Sequence, residues 1–392
     1  MKFVCNKQEL LKGINTVIKA TYTKFQKSIL ECIHIVAGST LTLDAFDTVT
    51  AIRTNIYSDI EKPGQTCIPA RILQEIVSKF PDSEVTFESQ EPSGIRLSCR
   101  SSAVVLQEMD ASEFPAFPEM EGDSFTLKQG DFKRMIDKTA FSAYMGEDKP
   151  VFTGILFESG EDTLSTVAID GIRLAKNTIH MEVPGAIRAI VPAKSLKEVA
   201  RLMGDEEESV QVSFGETACY IRMENTDIYT RLLDGEFMKY ESIIHKTYKT
   251  RVKVETKLIE KSLEMVSVLA KEDSSNLVRL EIGQNSIELC SNSEYGAAKD
   301  VIPVLVEGEV LKIAFNAKYL LDVFKVVEEE SVFLEFNDSL KPCVIRPAEG
   351  DAYLYIVVPV WCLRWWGRFL GGFGAMNPGG ASGAGIPRKT ER

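Results

Sequence analysis

The chain has 392 residues, a formal net charge of −12 at pH 7, and 44% hydrophobic and 26% charged residues. This length exceeds what a single ordinary core supports, so we expect two or three domains. No apolar run is long enough to span a membrane. Because Glu9 and other polar residues occupy the place of a signal peptide's apolar stretch, we expect a cytoplasmic protein.

One apolar template occurs three times along the chain with identical spacing. Its members are Phe3, Cys5, Leu10, Ile14 and Val17 in the first copy, Phe125, Leu127, Phe132, Ile136 and Thr139 in the second, and Val252, Val254, Ile259, Leu263 and Val266 in the third. The spacing changes from alternation to a helical period, which predicts a short strand followed by an amphipathic helix. The template therefore predicts three copies of one structural unit.

A second template follows in each copy, at residues 67–80, 190–203 and 313–326. Each occurrence predicts a helix and then an alternating strand, EVTFE, VQVSF or VFLEF. Two templates in three copies predict an α+β protein of three tandem homologous domains, each with two helices and an antiparallel sheet. Segments rich in Pro, Gly and charged residues place the domains at 1–122, 123–248 and 249–360, followed by a tail at 361–392.

The predicted helices are basic although the whole chain is acidic. The windows 7–19, 69–80, 130–143, 192–203, 256–271 and 316–327 each carry a net positive charge. If the helices line a concave side, their cations would bind phosphates without sequence specificity; alternatively, they are ordinary solvated helix faces. The candidate DNA-binding residues are Lys12, Lys19, Arg71, Lys79, Lys133, Arg134, Lys138, Lys194, Lys197, Arg201, Lys257, Lys261, Lys318 and Lys325.

Motifs for catalysis or metal binding are not found in the sequence. The three histidines are not spaced as metal ligands, and the eight cysteines form no CxxC pair. No phosphate-binding loop, nucleophile elbow or dinucleotide fingerprint occurs. Asp170 precedes Gly171 between two predicted strands, where Asp-Gly is a common turn pair. We therefore expect no enzyme activity and no cofactor; an enzyme acting on anionic substrates would need a catalytic centre around Asp170.

Five segments in order resemble a known family. They are MKFVCNKQELLKGI at the start, PVFTGILFE at 150–158, AIDGIRLA at 168–175, LLDGEF at 232–237 and KPCVIRP at 341–347. Together they resemble the beta subunit of bacterial DNA polymerase III, the beta sliding clamp, in a Firmicute-like form. The resemblance covers residues 1 to about 360. It implies a half-ring of three domains and a homodimer in which domain 1 meets domain 3.

The resemblance also implies partners and further site residues. In this family the ring encircles double-stranded DNA and tethers the replicative polymerase alpha subunit, and an ATP-driven clamp loader opens it. Lys24 stands where the family has a DNA-contacting basic residue. Other clamp-binding proteins use a short linear motif, and the pocket for it would be formed here by Phe152, Ile169, Gly171, Ile172, Arg173, Leu174, Met238, Ile243, Leu340, Val358, Pro359 and Val360.

Several positions depart from the family pattern. Ile169 and Met238 stand where Thr and Pro are usual, and the chain continues beyond Val360 into a glycine-rich segment containing all three tryptophans. This segment has no counterpart in the repeats and is predicted to be disordered. It is either a frameshift or readthrough extension, or a segment whose tryptophans fold back into the pocket. The departures keep a second function open: a paralogue that binds or sequesters replication partners without being loaded on DNA.

Overall fold

The computed structural model describes residues 1–22, 28–90 and 94–360, in which 26 strands and six α-helices are formed. No helix in these ranges is long and apolar enough to cross a membrane. The elements follow one order three times: a strand, a helix, a group of strands, a second helix and three final strands. The predicted α+β architecture with two helices per repeat is confirmed.

The first repeat begins with a capped helix. The Asn6 side chain accepts a hydrogen bond from the Gln8 backbone N–H (2.8 Å), which satisfies one of the free donors at the helix start. The elements are β1 (Lys2–Asn6), α1 (Lys7–Val17), β2 (Cys32–Ala37), β3 (Leu41–Phe46), β4 (Thr50–Ile56), β5 (Asp59–Lys62), β6 (Gly64–Pro69), α2 (Ala70–Lys79), β7 (Glu84–Ser89), β8 (Ile95–Cys99) and β9 (Ser102–Leu106).

The second repeat has the same order without a counterpart of β5. Its second helix follows a proline at the end of a strand, Pro192, as α2 follows Pro69. The elements are β10 (Ser124–Lys128), α3 (Gln129–Ala140), β11 (Gly154–Ser159), β12 (Thr163–Ile169), β13 (Arg173–His180), β14 (Arg188–Pro192), α4 (Ala193–Leu202), β15 (Ser209–Phe214), β16 (Ala218–Met223) and β17 (Thr226–Arg231).

The third repeat completes the series. Asn316 caps its second helix by accepting a hydrogen bond from the Lys318 backbone N–H (3.0 Å). The elements are β18 (Thr250–Glu255), α5 (Thr256–Ala270), β19 (Leu277–Ile282), β20 (Ser286–Ser293), β21 (Gly296–Pro303), β22 (Leu305–Gly308), β23 (Leu311–Asn316), α6 (Ala317–Phe324), β24 (Ser331–Phe336), β25 (Cys343–Pro347) and β26 (Tyr353–Val357).

The first apolar template is confirmed at every position. All fifteen of its side chains are buried, including Thr139, whose hydroxyl donates to the Met135 carbonyl (2.7 Å) and so leaves no unpaired polar group. Burial of this template packs the first helix of each repeat against its sheet. The same spacing produces the same local structure three times because the apolar face is the main stabilising surface of each helix.

Two of the four sheets join one repeat to the next. The eight-stranded sheet contains β10, β15, β16 and β17 of the second repeat followed by β4, β3, β2 and β6 of the first. The nine-stranded sheet joins the second and third repeats by pairing β13 with β26. The junctions are therefore the antiparallel pairs β4–β17 and β13–β26. Because main-chain hydrogen bonds cross both junctions, the repeats form one continuous structure.

The β12–β13 turn has a counterpart in the first repeat. Asp170 accepts hydrogen bonds from the backbone N–H groups of Ile172 and Arg173, both at 2.9 Å, as Asp47 does at the β3–β4 turn. Gly171 has φ +92°, and Thr48 at the corresponding position has φ 78°. The predicted Asp-Gly turn is confirmed, and the Asp170 carboxylate is engaged in holding it.

Replacing Gly171 by Ala should destabilise the fold by about 1 kcal/mol, because an L side chain at positive φ is strained even where space is available. Gly38→Ala is the matched control, since Gly38 lies in another hairpin turn, has no positive φ and has no atom within 4 Å of an added Cβ. The measurement is the midpoint of urea unfolding. Equal shifts for the two variants would contradict the conformational explanation.

Candidate nucleic-acid interface and partner pocket

The basic residues predicted to contact DNA lie on the six helices or at their ends, on one side of the sheets. Lys24 lies outside the described residues. Lys133, Arg134 and Lys197 are half-buried and Lys138 is buried. The exposed members are Lys12, Lys19, Arg71, Lys79, Lys194, Arg201, Lys257, Lys261, Lys318 and Lys325. The structure therefore leaves most of the predicted cations accessible to an anionic partner.

Several of these cations have acidic partners on the same helix. Arg71 pairs with Glu75 (3.2 Å) and Lys257 with Glu260 (2.8 Å). Exposed pairs of this kind contribute little stability, so a phosphate can displace the carboxylate at small cost. Of the candidate DNA-binding lysines within the described ranges, seven form no ion pair, namely Lys12, Lys79, Lys133, Lys194, Lys197, Lys261 and Lys325.

Lys138 differs from the exposed cation that the sequence predicted. Its ammonium lies 3.2 Å from Glu328 and 3.7 Å from Glu329, and 5.5 Å from the centre of the Tyr353 ring. These contacts join α3 of the second repeat to the segment after α6. Since the side chain is only 10% exposed and already paired, it stabilises the junction and has little capacity for a phosphate.

An apolar cluster lies on the face of the sheets opposite the helices and spans the second and third repeats. We call it the outer cluster. It contains five of the predicted pocket residues, Phe152, Ile169, Leu174, Met238 and Ile243. Its other members are Val151, Leu156, Val167, Ile190, Leu233, Phe237, Tyr240, Ile244, Val344, Leu354 and Ile356.

The remaining predicted pocket residues lie around this cluster in different ways. The Val358 backbone N–H donates to the Ile172 carbonyl (2.9 Å), which brings the end of the described chain beside the exposed Gly171 turn. Ile172 is 43% exposed and Leu340, in the loop between β24 and β25, is 53% exposed. Pro359 is buried and Val360 is partly buried. Exposed aliphatic side chains beside a buried apolar cluster are suited to receive an apolar anchor.

Arg173 is buried rather than free to orient a partner. Its guanidinium donates to Asp170 (2.9 Å), to Asp322 on α6 (2.6 Å) and to the Phe141 carbonyl (2.6 Å), and it stacks over the Tyr319 ring at 4.7 Å. This side chain therefore connects the β12–β13 turn, the end of α3 and helix α6. In the structure it is, with Lys138, one of the polar bridges across the junction between the second and third repeats.

Comparison with known proteins gives the family. The DNA polymerase III beta subunit N-terminal domain matches residues 1–118, its central domain 126–239 and its C-terminal domain 241–361. The beta sliding clamp of Bacillus subtilis is 30% identical over 375 residues, covering 92% of this chain and 99% of that protein. The chain belongs to the DNA polymerase III beta subunit family of sliding clamps.

Solved structures of sliding clamps have the same fold. The Bacillus subtilis DNA polymerase sliding clamp superposes with a TM-score of 0.89 at 29% identity, covering 92% of this chain and 99% of the other. A DNA polymerase III beta subunit structure from Eubacterium rectale gives 0.88 at 32% identity, with the same coverage. The predicted resemblance and the three-domain clamp fold are therefore confirmed.

Sequence reasoning missed much of the outer cluster of this sliding clamp. Val344, Leu354 and Ile356 belong to the outer cluster. The residues that alternate with them on β25 and β26, such as Cys343 and Tyr355, belong to the core on the helix side. A strand with apolar residues at both parities is typical of burial on both faces. The segments CVIRP and YLYIV carry that signal.

Replacing Asp322 by Asn should destabilise the junction more at neutral than at low pH. Burial alone would raise the pKa of Asp322, but hydrogen bonds from Lys318 and Arg173 outweigh it and lower the pKa below its ordinary value. The stabilisation is therefore present above the unfolded-state pKa of about 4 and is lost as pH falls through the lower folded-state value. We expect a cost of about 1–3 kcal/mol at pH 7, from urea unfolding.

The control is Thr50→Val at the first–second junction, where the Thr50 and Ser195 hydroxyls are hydrogen-bonded at 2.7 Å. Neither group titrates in this range, so its effect should be independent of pH. A loss for Asp322→Asn that stays constant from neutral pH to below about pH 4 would show that the ion pair is not its source.

Proposed function

We propose that two copies of this chain form a closed ring that encircles duplex DNA and tethers the replicative polymerase for processive synthesis. The domains are those predicted at 1–122, 123–248 and 249–360. The observation that carries the proposal is a pair of edge strands, β9 and β21, each of which has a strand neighbour on one side only within the described residues.

The repeat predicts how those edges pair. Inside the chain, the last strand of one repeat pairs with a strand of the preceding repeat. That strand is the third in the group between the two helices, so β17 pairs with β4 and β26 with β13. The corresponding strands that remain are β9, at the end of the first-repeat sheet, and β21, at the end of the third-repeat sheet. Within the described ranges each has a neighbour on one side only. The same pairing between two copies would therefore join the first domain to the third.

Exposure along these edges supports the dimer. Val105 in β9 is 56% exposed and Val301 in β21 is 51% exposed. Unpaired strand edges with apolar side chains are suited to pairing with another chain. Each copy supplies one β9 and one β21, so two copies can satisfy both edges and close the ring. This agrees with the head-to-tail dimer of the family.

The helix side supplies the DNA-binding surface of the proposed ring. The cations on all six helices would contact phosphates of either strand, and contacts to phosphates carry no sequence information. Binding should therefore be independent of sequence and weaken with salt. Contacts that are individually weak let the ring slide, while closure of the ring prevents dissociation.

The outer cluster supplies the partner pocket. Ile172 and Leu340 would receive apolar anchors of a short linear motif, with Phe152, Ile169, Leu174, Met238 and Ile243 beneath them. The proposed partners are the replicative polymerase alpha subunit, the clamp loader and other clamp-motif proteins. We propose a cytoplasmic protein without catalytic activity that acts through binding alone.

A second candidate function rests on the composition of the pocket. Ile169 and Met238 depart from the Thr and Pro of the family pattern, and both belong to the outer cluster. A more apolar pocket would select other partners. In this alternative the protein binds replication factors without being loaded on DNA.

The ring is tested by retention on circular DNA. After loading onto a nicked plasmid with a bacterial clamp loader and ATP, the protein should co-elute with the circle and be lost when the plasmid is linearised. The variant Val105→Lys/Val301→Lys places like charges at the proposed contact and should lose both the dimer, seen as closed rings by electron microscopy, and retention.

The matched control is Met145→Lys/Val310→Lys, which adds the same charge at two exposed loop positions away from β9 and β21. This control variant should still form the dimer and should still be retained on the circular plasmid. Equal retention of the unmodified protein on circular and linear plasmid would refute topological binding. Failure to load, with partner-peptide binding intact, would instead support the non-loaded alternative.

The pocket is tested by Ile172→Asp. A peptide with Leu and Phe anchors should bind at least about tenfold more weakly, because a charge replaces an apolar contact at the pocket surface. Ile72→Asp is the control, since Ile72 is 49% exposed on α2, on the helix side. Isothermal calorimetry measures both. Loss of affinity in both variants, or in neither, would rule out this location for the pocket.

A further inference from the structure

A cleft of about 560 Å³ opens on the helix side where the second repeat meets the third. Its walls come from α3, α4 and the segment that follows α6. Two acidic residues, Asp137 and Glu328, line it. The basic residues that line it are Lys133, Arg134, Lys138, Lys197, Arg201 and Lys325. The excess of positive charge makes this cleft a candidate site for an anion.

Three of these cations lack an ion-pair partner among the described residues. Lys133, Lys197 and Lys325 form no ion pair within the described ranges, whereas Lys138 is paired with Glu328. Burial, together with the charges of Arg173 and Arg201, lowers the pKa of Lys197. An anion bound here would relieve repulsion among these groups, so the site favours a ligand with more than one negative charge.

The corresponding region at the first–second junction has the opposite charge. A smaller cavity of about 280 Å³ lies there, and Lys12 is its only basic lining residue. Thr16 and Leu202 occupy the repeat positions of Lys138 and Lys325. The acidic residues that line it are Glu9, Asp205, Glu208 and Glu224. The two junctions, related by the repeat, therefore present opposite potentials to a ligand inside the proposed ring.

We propose that the cleft between α3, α4 and the end of α6 is a phosphate-binding site that holds the DNA backbone at the second–third junction. The inference rests on the proposed DNA-encircling function and deepens it: the duplex lies against this junction on one side of the ring, away from the acidic first–second junction. Phosphodiesters along the backbone supply the successive negative charges that the cleft requires.

The test compares two triple variants of the full-length protein that remove the same charge. Lys133→Gln/Lys197→Gln/Lys325→Gln neutralises the cleft. The control, Lys79→Gln/Lys194→Gln/Lys261→Gln, removes three unpaired lysines outside it. Binding of a short linear duplex, which can thread the ring without a loader, is followed by fluorescence anisotropy across a salt series.

The cleft variant should bind at least about tenfold more weakly, and its salt slope should fall by about two to three, because each lost lysine–phosphate contact lowers the slope by about one. The control should also lose affinity and slope, but less of each than the cleft variant, because its three lysines lie on α2, α4 and α5 and do not converge on one cleft. Equal losses in the two variants would overturn the assignment of the phosphate-binding site to the cleft, while the helix side as a whole would remain the proposed DNA surface. No loss in either would overturn the proposed DNA surface itself.

Two further measurements are needed. The first distinguishes loss of charge from loss of folding, and the second distinguishes DNA from free polyphosphate as the ligand. The charge-retaining variant Lys133→Arg/Lys197→Arg/Lys325→Arg should keep duplex affinity, and a loss equal to that of the glutamine variant would overturn the proposal. Inorganic tripolyphosphate is titrated against the unmodified protein and the glutamine variant. If tripolyphosphate binding is lost while duplex binding is unchanged, the cleft is a free-polyphosphate site and the assignment to DNA is wrong.

Discussion

The structure depends on main-chain pairing across the junctions between repeats. Pairing of β17 with β4 and of β26 with β13 makes neighbouring repeats share their sheets. Backbone hydrogen bonds fix the relative position of neighbouring units more tightly than side-chain contacts across a linker would. The helices consequently lie on one side of the sheets and the outer cluster on the other, so the proposed DNA surface and the proposed partner pocket do not overlap.

The two equivalent junctions between repeats are held by different polar contacts. The first–second junction joins the hydroxyls of Thr50 and Ser195, whereas the second–third junction joins Arg173 to Asp322. An ion pair carries formal charges and responds to neighbouring charge and to pH, whereas a pair of hydroxyls is uncharged. Lys318, at the repeat position of Ser195, also bonds Asp322. The repeated units therefore differ in chemistry where they meet, which gives one chain two distinct junctions.

The helices, the template core and the three α+β repeats were predictable from sequence because they depend on local periodicity that recurs three times, whereas the clamp fold was implied by the resemblance of five segments to a known family. The pocket was only partly predictable. Ile169 and Leu174 follow from the strand pattern, but Val344 and Ile356 reach the same cluster from far along the chain. The sequence could not show that Lys138 is buried and paired, because its partner Glu328 is remote along the chain. The net charge of each helix therefore identifies the basic side of the protein, but it does not show which individual cations are exposed there.

The edge strands β9 and β21 bear on the folding of a single chain as well as on its proposed assembly. β21 contains Lys299 and Asp300, charges that discourage indiscriminate edge pairing, whereas β9 reads SAVVL and contains none. A single subunit exposes this apolar edge, which the β21 of a second copy would cover in the proposed dimer. Subunit concentration would then govern two competing reactions, closure of the ring and off-pathway aggregation, so dimerisation would act as the last step of folding.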